Sequence, residues 1–275
     1  MVSATPNRIV PDSERYPVGL ADLEDPPPLW LLGSLRAKPG IAVVGSRRAT
    51  RYGIDLAEAF GAAIALAGWT TVSGLARGVD TAAHRGCLRV SGHAVAVLGS
   101  GIDVCYPREN TAIYDEILES GGAILSEYSP GTPPDRWRFP ARNRIIAAIS
   151  AAVVVVESAS TGGALITARL GAELGRPVFV VPGDVDRVMS EGCNRLIRDG
   201  AHPVLGPDDL VTELGLVVGP PAPVTHPDHG IPATGVPIGE LPGLWSLTLT
   251  ESLAKLGRLE VEGRVKRVGD HIVPS

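Results

Sequence analysis

From Gly40 to Leu214 the chain repeats one pattern that few folds can accept. Short Val/Ile-rich runs without polar alternation end in a small or polar pair and lead into amphipathic stretches of helical length. Ile41-Ala-Val-Val44 runs into Gly45-Ser46 and a helical segment from about Arg51 to Ala67. Thr70-Thr-Val72 runs into Ser73-Gly74 and a helix from Thr81 to Val90. His93 to Leu98, Ala123 to Leu125, Val153 to Val156 and Val178 to Val181 read as further strands. They end at Gly99-Ser100-Gly101, Ser126-Glu127, Glu157 and Pro182-Gly183. Continuously apolar strands are covered on both faces, as in a parallel sheet. Their alternation with helices gives repeated βαβ units. The pattern therefore predicts an α/β fold: a Rossmann-like, doubly wound, mostly parallel sheet. Strand carboxyl ends in such a sheet share one edge, where ligands bind near the topological switch. The turns are expected to converge there, although tight turns call for glycine in any case.

The remaining chain is read around that sheet. With 44% hydrophobic residues in 275, a sizeable core is available and wholesale disorder is excluded. Residues 1–39 read as an N-terminal extension leading into a domain at 40–215. Residues 216–242 carry seven prolines and no period, and read as a linker. At 243–275, Leu249, Leu253, Leu256 and Leu259 recur at helical spacing. Arg264 to Val268 and His271 to Val273 then suggest a hairpin around Gly269-Asp270. A helix followed by a hairpin is similar to part of a winged helix, and so short a tail is expected to need a neighbour to complete its core. Cys87, Cys105 and Cys193 show no paired metal-ligand spacing, and His226 and His229 have no third ligand nearby. No metal is expected. Met1 to Arg15 lacks an apolar leader core. The longest uncharged apolar stretch, Ile145 to Val156, falls short of the about 20 residues a membrane helix needs. A soluble cytoplasmic protein is expected.

Charge and motifs narrow the chemistry. A net charge of −5 excludes a globally basic nucleic-acid coat, though not a local basic pocket. Arginine far outnumbers the three lysines Lys38, Lys255 and Lys266. That skew suits bidentate phosphate recognition, and genome composition would produce it too. The first turn, Gly45-Ser46-Arg47-Arg48-Ala49-Thr50, lacks the spaced glycines of a dinucleotide fingerprint, which argues against a nicotinamide or flavin cofactor. Helix-start amides, the Ser46 and Thr50 hydroxyls and a guanidinium can instead hold a phosphate. In the second turn, Ser73-Gly74 to Arg77-Gly78-Val-Asp80, an Arg77–Asp80 pair can fix the loop. His84 shares a helical face with Asp80. The two form either an acid/base couple or a cap that orients the imidazole, and the structural role is favoured because no nucleophile or metal ligand accompanies them.

Arg136 to Arg144 is the most basic stretch, with Trp137 and Phe139 between its arginines. Pro140 suits a first helical turn, which sets Arg142 and Asn143 near a positive helix end. The two aromatics are either base-stacking platforms or core. Thr161-Gly162-Gly163-Ala164 opens another helix after Glu157, which is a catalytic acid, a hydrogen-bond acceptor or a structural partner.

Taken together, Gly45-Ser-Arg47, Ser73 to Asp80, Ala83-His-Arg-Gly86, Tyr106-Pro-Arg-Glu-Asn110, Ser126-Glu-Tyr128, Phe139 to Arg144 and Val181-Pro-Gly183 resemble the DNA-processing protein A family, DprA or Smf. The resemblance runs from about Tyr16 to Leu214, with the blocks in the family's order. It implies an extended Rossmann domain that binds single-stranded DNA, usually as a homodimer. It also implies loading of RecA recombinase onto DNA taken up in natural transformation. By the same resemblance, Ser46, Arg47 and Arg48 lie in the DNA pocket, Ser73, Gly74, Arg77 and Gly78 line it, and Arg142 and Asn143 face them. Asp80, His84, Gly101, Tyr106, Arg138, Arg144, Gly162, Gly163 and Thr167 complete the expected nucleic-acid-binding set. The family often has Ser-Gly-Ser where Gly162-Gly163-Ala164 stand here, so that turn is left with backbone donors. No catalytic residue and no cofactor are expected. The rival reading is a Rossmann-like nucleoside-monophosphate phosphoribohydrolase, whose Gly-Gly-x-Gly-Thr loop and glutamate are partly echoed by Thr161 to Ala164 and Glu157.

Overall fold

The computed structural model describes residues 5–37, 39–219, 231, 232, 235–245, 247–261 and 265–274. His226 and His229 lie outside them. Two compact units divide the chain, Met1–Pro220 and Pro221–Ser275.

The first unit runs β1 (Asn7–Ile9), β2 (Leu29–Gly33), β3 (Gly40–Val44), α1 (Arg51–Leu66), β4 (Thr71–Ser73), α2 (Val79–Arg89) and β5 (Ala94–Gly101). It continues with α3 (Thr111–Glu119), β6 (Ala123–Tyr128), α4 (Arg138–Ala148), β7 (Ser150–Val155) and α5 (Gly163–Glu173). It closes with β8 (Val178–Val180), α6 (Val188–Arg198), β9 (His202–Pro203) and α7 (Pro207–Val217). The nine strands form one sheet in the order β1-β2-β6-β5-β4-β3-β7-β8-β9. β3 to β9 pair in parallel, and β1 and β2 add an antiparallel flank. The expected sheet is present, and it is wider than the sequence pattern suggested. Residues 1–39 supply two of its strands instead of only leading into it.

Side chains alternate across the pleat to fill both faces. Ile41 and Val43 join Phe60 and Ile64 of α1, Val79 and Ala83 of α2, and Leu210 and Leu214 of α7. Ala42 and Val44 join Ile145 and Ile146 of α4 and Ala164 and Ala168 of α5. This period-two exchange is what an uninterrupted apolar strand accomplishes. From β3 the chain winds through β4, β5 and β6, then returns to β3's other side as β7. The topological switch therefore falls between the carboxyl ends of β3 and β7, where the Ser46 N–H donates to the Glu157 carbonyl at 2.7 Å.

The second unit contains β10 (Val236–Pro237), α8 (Leu241–Trp245), α9 (Leu249–Val261), β11 (Val265–Val268) and β12 (His271–Pro274). Its sheet order is β10-β12-β11. Ile231, Val236, Leu241, Leu256, Leu259, Val265 and Ile272 are buried together. Part of the stretch expected as linker thus builds this core, and the tail has apolar packing of its own. Pro237 is tolerated because β10 pairs on one side only.

Candidate nucleic-acid interface

At the switch, the turns after β3 and β4, the first turns of α4 and the β7–α5 turn enclose a cleft of about 390 Å³. Ser46, Arg47, Arg48, Asp80, Arg142, Asn143, Gly162, Gly163 and Thr167 line it, together with Phe139, Pro140, Ala159 and Met189. A smaller recess of about 60 Å³ is lined by Arg47 and Phe139 as well, with Gly74, Arg77 and Tyr106. Arg47 and Arg142 therefore face one space.

Glu157 explains how the first wall is built. Its two carboxylate oxygens accept from the Thr50 N–H at 2.8 Å and the Thr50 hydroxyl at 2.6 Å. Thr50 then caps α1 by accepting from the Gly53 N–H at 3.2 Å. The Arg48 N–H donates to the Ser46 hydroxyl oxygen at 3.0 Å. The amides of Ser46, Arg48, Thr50 and Gly53 are thus spent inside the protein and are not available to a phosphate. What this wall presents is guanidinium: Arg47 and Arg48 are exposed and form no ion pair among the described residues. The Arg47 guanidinium lies over the Phe139 ring at 4.8 Å. Glu157→Ala is expected to lower stability by about 1–2 kcal/mol, the scale of a lost cap and its anchor, in a urea titration.

The second wall contains a buried charge cluster. Arg142 is only 3% exposed. Its guanidinium donates to the Gly74 carbonyl at 2.7 Å, to the Val97 carbonyl and to Asn143 Oδ1 at 3.2 Å. Burial lowers its pKa to about 10; Asp80 opposes that shift and Arg47 adds to it. Asp80 accepts from the Gly74 and Ala76 amides, and burial raises its carboxyl above the usual value against the pull of Arg142. Gly74 has no room for a side chain because the Arg142 guanidinium lies against it. Gly78, with φ +77°, makes the turn that brings the second loop onto the Ser46–Arg47 backbone.

Several expected site residues are engaged within the protein. Arg77 does not pair with Asp80; it forms a bidentate pair with Glu109 at 2.6 and 2.8 Å. Ser73 is buried and donates to the Val43 carbonyl, tying β4 to β3. Gly101 donates to the Thr132 carbonyl beneath the β6–α4 loop. Arg138 stacks on Tyr128 and Trp137, and Arg144 pairs with Glu127 at 2.6 Å. Of the six strand-end pairs, those after β3, β4 and β7 reach the two recesses themselves, while the connections after β5 and β8 reach them only further along, at Tyr106 and Met189. Gly183 itself bonds Asn194. Phe139, which sequence left between platform and core, is half-buried and faces both recesses.

His84 is fully buried and lines neither recess, and neither ring nitrogen has a partner among the described residues. Burial first, then Arg142, pushes its pKa down to about 3. His93 is held near 4 by burial and Arg36. Both are neutral when folded and gain protons more readily when unfolded, so stability is full above their ordinary value and falls as pH drops below about 6.5. Each can cost up to about 1.4 kcal/mol per pH unit. Urea midpoints measured from pH 7 to 5 should fall, and less steeply in His84→Met.

Among the described residues, no group of three or more metal-binding side chains occurs, and no helix is long and apolar enough to cross a membrane.

The profile of one family, DNA recombination-mediator protein A, matches residues 7–215. A Protein Smf from Synechocystis is 42% identical over 219 residues, covering 77% of this chain and 55% of that protein. The DNA processing protein DprA of Streptococcus pneumoniae is 41% identical, covering 72% of this chain and 71% of that one. The chain thus spans little more than half the length of some relatives. The X-ray structure of the S. pneumoniae protein aligns with a TM-score of 0.71 at 38% identity, over 76% of this chain and 74% of that one. A DNA processing protein A from Helicobacter pylori, described for its unique single-stranded DNA binding mode, aligns with a TM-score of 0.69 at 28% identity, over 77% and 96%. With three-quarters of its length matched in sequence and in fold, the chain belongs to the DNA recombination-mediator protein A family, the DprA/Smf proteins.

Proposed function

We propose that the cleft at the β3–β7 switch grips single-stranded DNA, with no chemistry performed on it. The observation that carries this reading is the pair of exposed, unpaired guanidiniums of Arg47 and Arg48 beside the half-buried Phe139 ring. Guanidiniums hold phosphates, and an aromatic face takes a base of any identity. The uncapped start of α5 at Gly162–Gly163 adds the positive end of a helix to the same space. A flexible strand can place a base into such a recess, whereas a duplex keeps its bases stacked. The family's work extends the proposal: the bound strand is handed to a RecA-type recombinase during uptake of transforming DNA, by a homodimer in the cytoplasm.

The geometry counts against the phosphoribohydrolase reading. Glu157, its only candidate acid, has both oxygens engaged by Thr50. Incubation with AMP is expected to release no adenine.

The test is a titration of fluorescent single-stranded and double-stranded oligonucleotides at two ionic strengths. Contact with three or four phosphates gives a slope of log K against log salt of about −2 to −3. A salt-independent affinity, or equal affinity for the duplex, would remove the proposal.

A further inference from the structure

A second concavity of the first unit is larger than this cleft. It lies at the opposite, amino-terminal ends of the central strands, and its volume is about 570 Å³. No residue of α1 to α7 lines it. Its floor is Leu31, Val72, Val95 and Ile149, four side chains of the apolar core. Arg15 and Arg36 stand at its rim, where Glu14 is the one acidic group among the described residues. Neither arginine forms an ion pair among the described residues.

The polar wall beside Arg36 adds no compensating charge. His93 donates through Nε2 to the Ser34 carbonyl at 3.0 Å and accepts through Nδ1 from the Thr70 hydroxyl at 3.0 Å. Both nitrogens are occupied, and the ring is neutral. Arg36 is exposed at the rim, and its contact with the protein wall lowers its pKa from the ordinary value. Two guanidiniums at the mouth of a cavity, neither engaged by a carboxylate, can each give an anion a charge-assisted hydrogen bond.

We propose that this cavity is a second ligand site, for a small organic anion with an apolar body. The acid group sits between Arg15 and Arg36, and the hydrocarbon lies on Leu31, Val72, Val95 and Ile149. Each half of the cavity excludes a simpler occupant. A bare inorganic anion makes no use of the apolar floor, and a neutral hydrocarbon makes no charge-assisted hydrogen bond at the rim. The volume falls within the range of small-molecule sites. A polynucleotide does not fit, because the charged groups among the described lining residues, two guanidiniums and a carboxylate, make no continuous basic track.

The experiment is an amide-resolved NMR titration of the full chain with decanoate, decanol and inorganic phosphate as separate probes. Decanoate should move the Gly40, Val72 and Val95 amides saturably, and decanol and phosphate should bind at least about tenfold more weakly. Arg36→Gln and Arg15→Gln, both at exposed positions, should each weaken decanoate by about tenfold, the scale of one charge-assisted hydrogen bond. Neither should change single-strand binding at the other end of the strands. Unmoved amides at the cavity, equal binding of decanol, equal binding of phosphate, or a double variant with unchanged affinity would each overturn the site. Since its readout uses no DNA, its failure leaves the single-strand proposal standing, and the converse holds.

Discussion

Arg47→Ala should weaken oligothymidylate binding by ten- to a hundredfold and leave the protein folded. One or two hydrogen bonds to a charged group are worth about 1.5–3 kcal/mol, which corresponds to that range. The side chain is exposed and its one described contact is the Phe139 face, so its loss opens no core and strands no buried partner. The salt slope should flatten by about 0.7 for each phosphate contact removed. Arg51→Ala is the control. Arg51 lies a few residues away with the same charge, but it is engaged with Asp55 at 2.9 Å and does not line the cleft. Its removal should change affinity by less than about twofold, as for a screened surface charge. Should Arg51→Ala cost as much as Arg47→Ala, diffuse attraction would account for binding and the cleft would lose its role.

The contrast between these two arginines shows what could and could not be read from the chain. Apolar runs such as Ile41–Val44 and Val153–Val156 announce a buried parallel strand because nothing polar interrupts them. The turns that follow are likewise visible in Gly45-Ser46 and Ser73-Gly74. β1 and β2 were not visible, because three residues at Asn7–Ile9 and a run after Pro26-Pro27-Pro28 become strands only by pairing with each other and with β6. Nor could periodicity tell which side chain finds which partner across the fold. Glu157 and Thr50 are 107 positions apart, and their bond decides both that the Thr50 amide is taken up within the protein and that Glu157 is no free acid. Arg77 took Glu109 from another loop in preference to Asp80 within its own turn, because α2 turns Asp80 inward onto the Gly74 and Ala76 amides.

Arg142 is the sharpest instance, since a motif rich in arginine reads as a set of ligand-binding cations. Its guanidinium is instead committed to the Gly74 and Val97 carbonyls, with Asp80 as the nearby countercharge. Arg142→Met should therefore cost about 3–5 kcal/mol, the scale of breaking a buried charge cluster by removing one member. In a chain of this size that lowers the melting temperature by roughly 10 °C. Adding Asp80→Asn removes the orphaned carboxylate, so the double variant should lose less than the sum of the two single variants. Binding measured well below the melting temperature then separates contact from positioning. If Arg142 serves by holding Gly74 against the start of α4, its loss weakens affinity without flattening the salt slope, because no phosphate contact is removed. Arg47→Ala should show the reverse, with stability kept and the slope reduced. An Arg142→Met protein of normal stability with a slope flattened by about 0.7 would instead make Arg142 a direct phosphate ligand. The Gly74 and Val97 carbonyls would then have to find other donors, since buried carbonyls are seldom left unpaired.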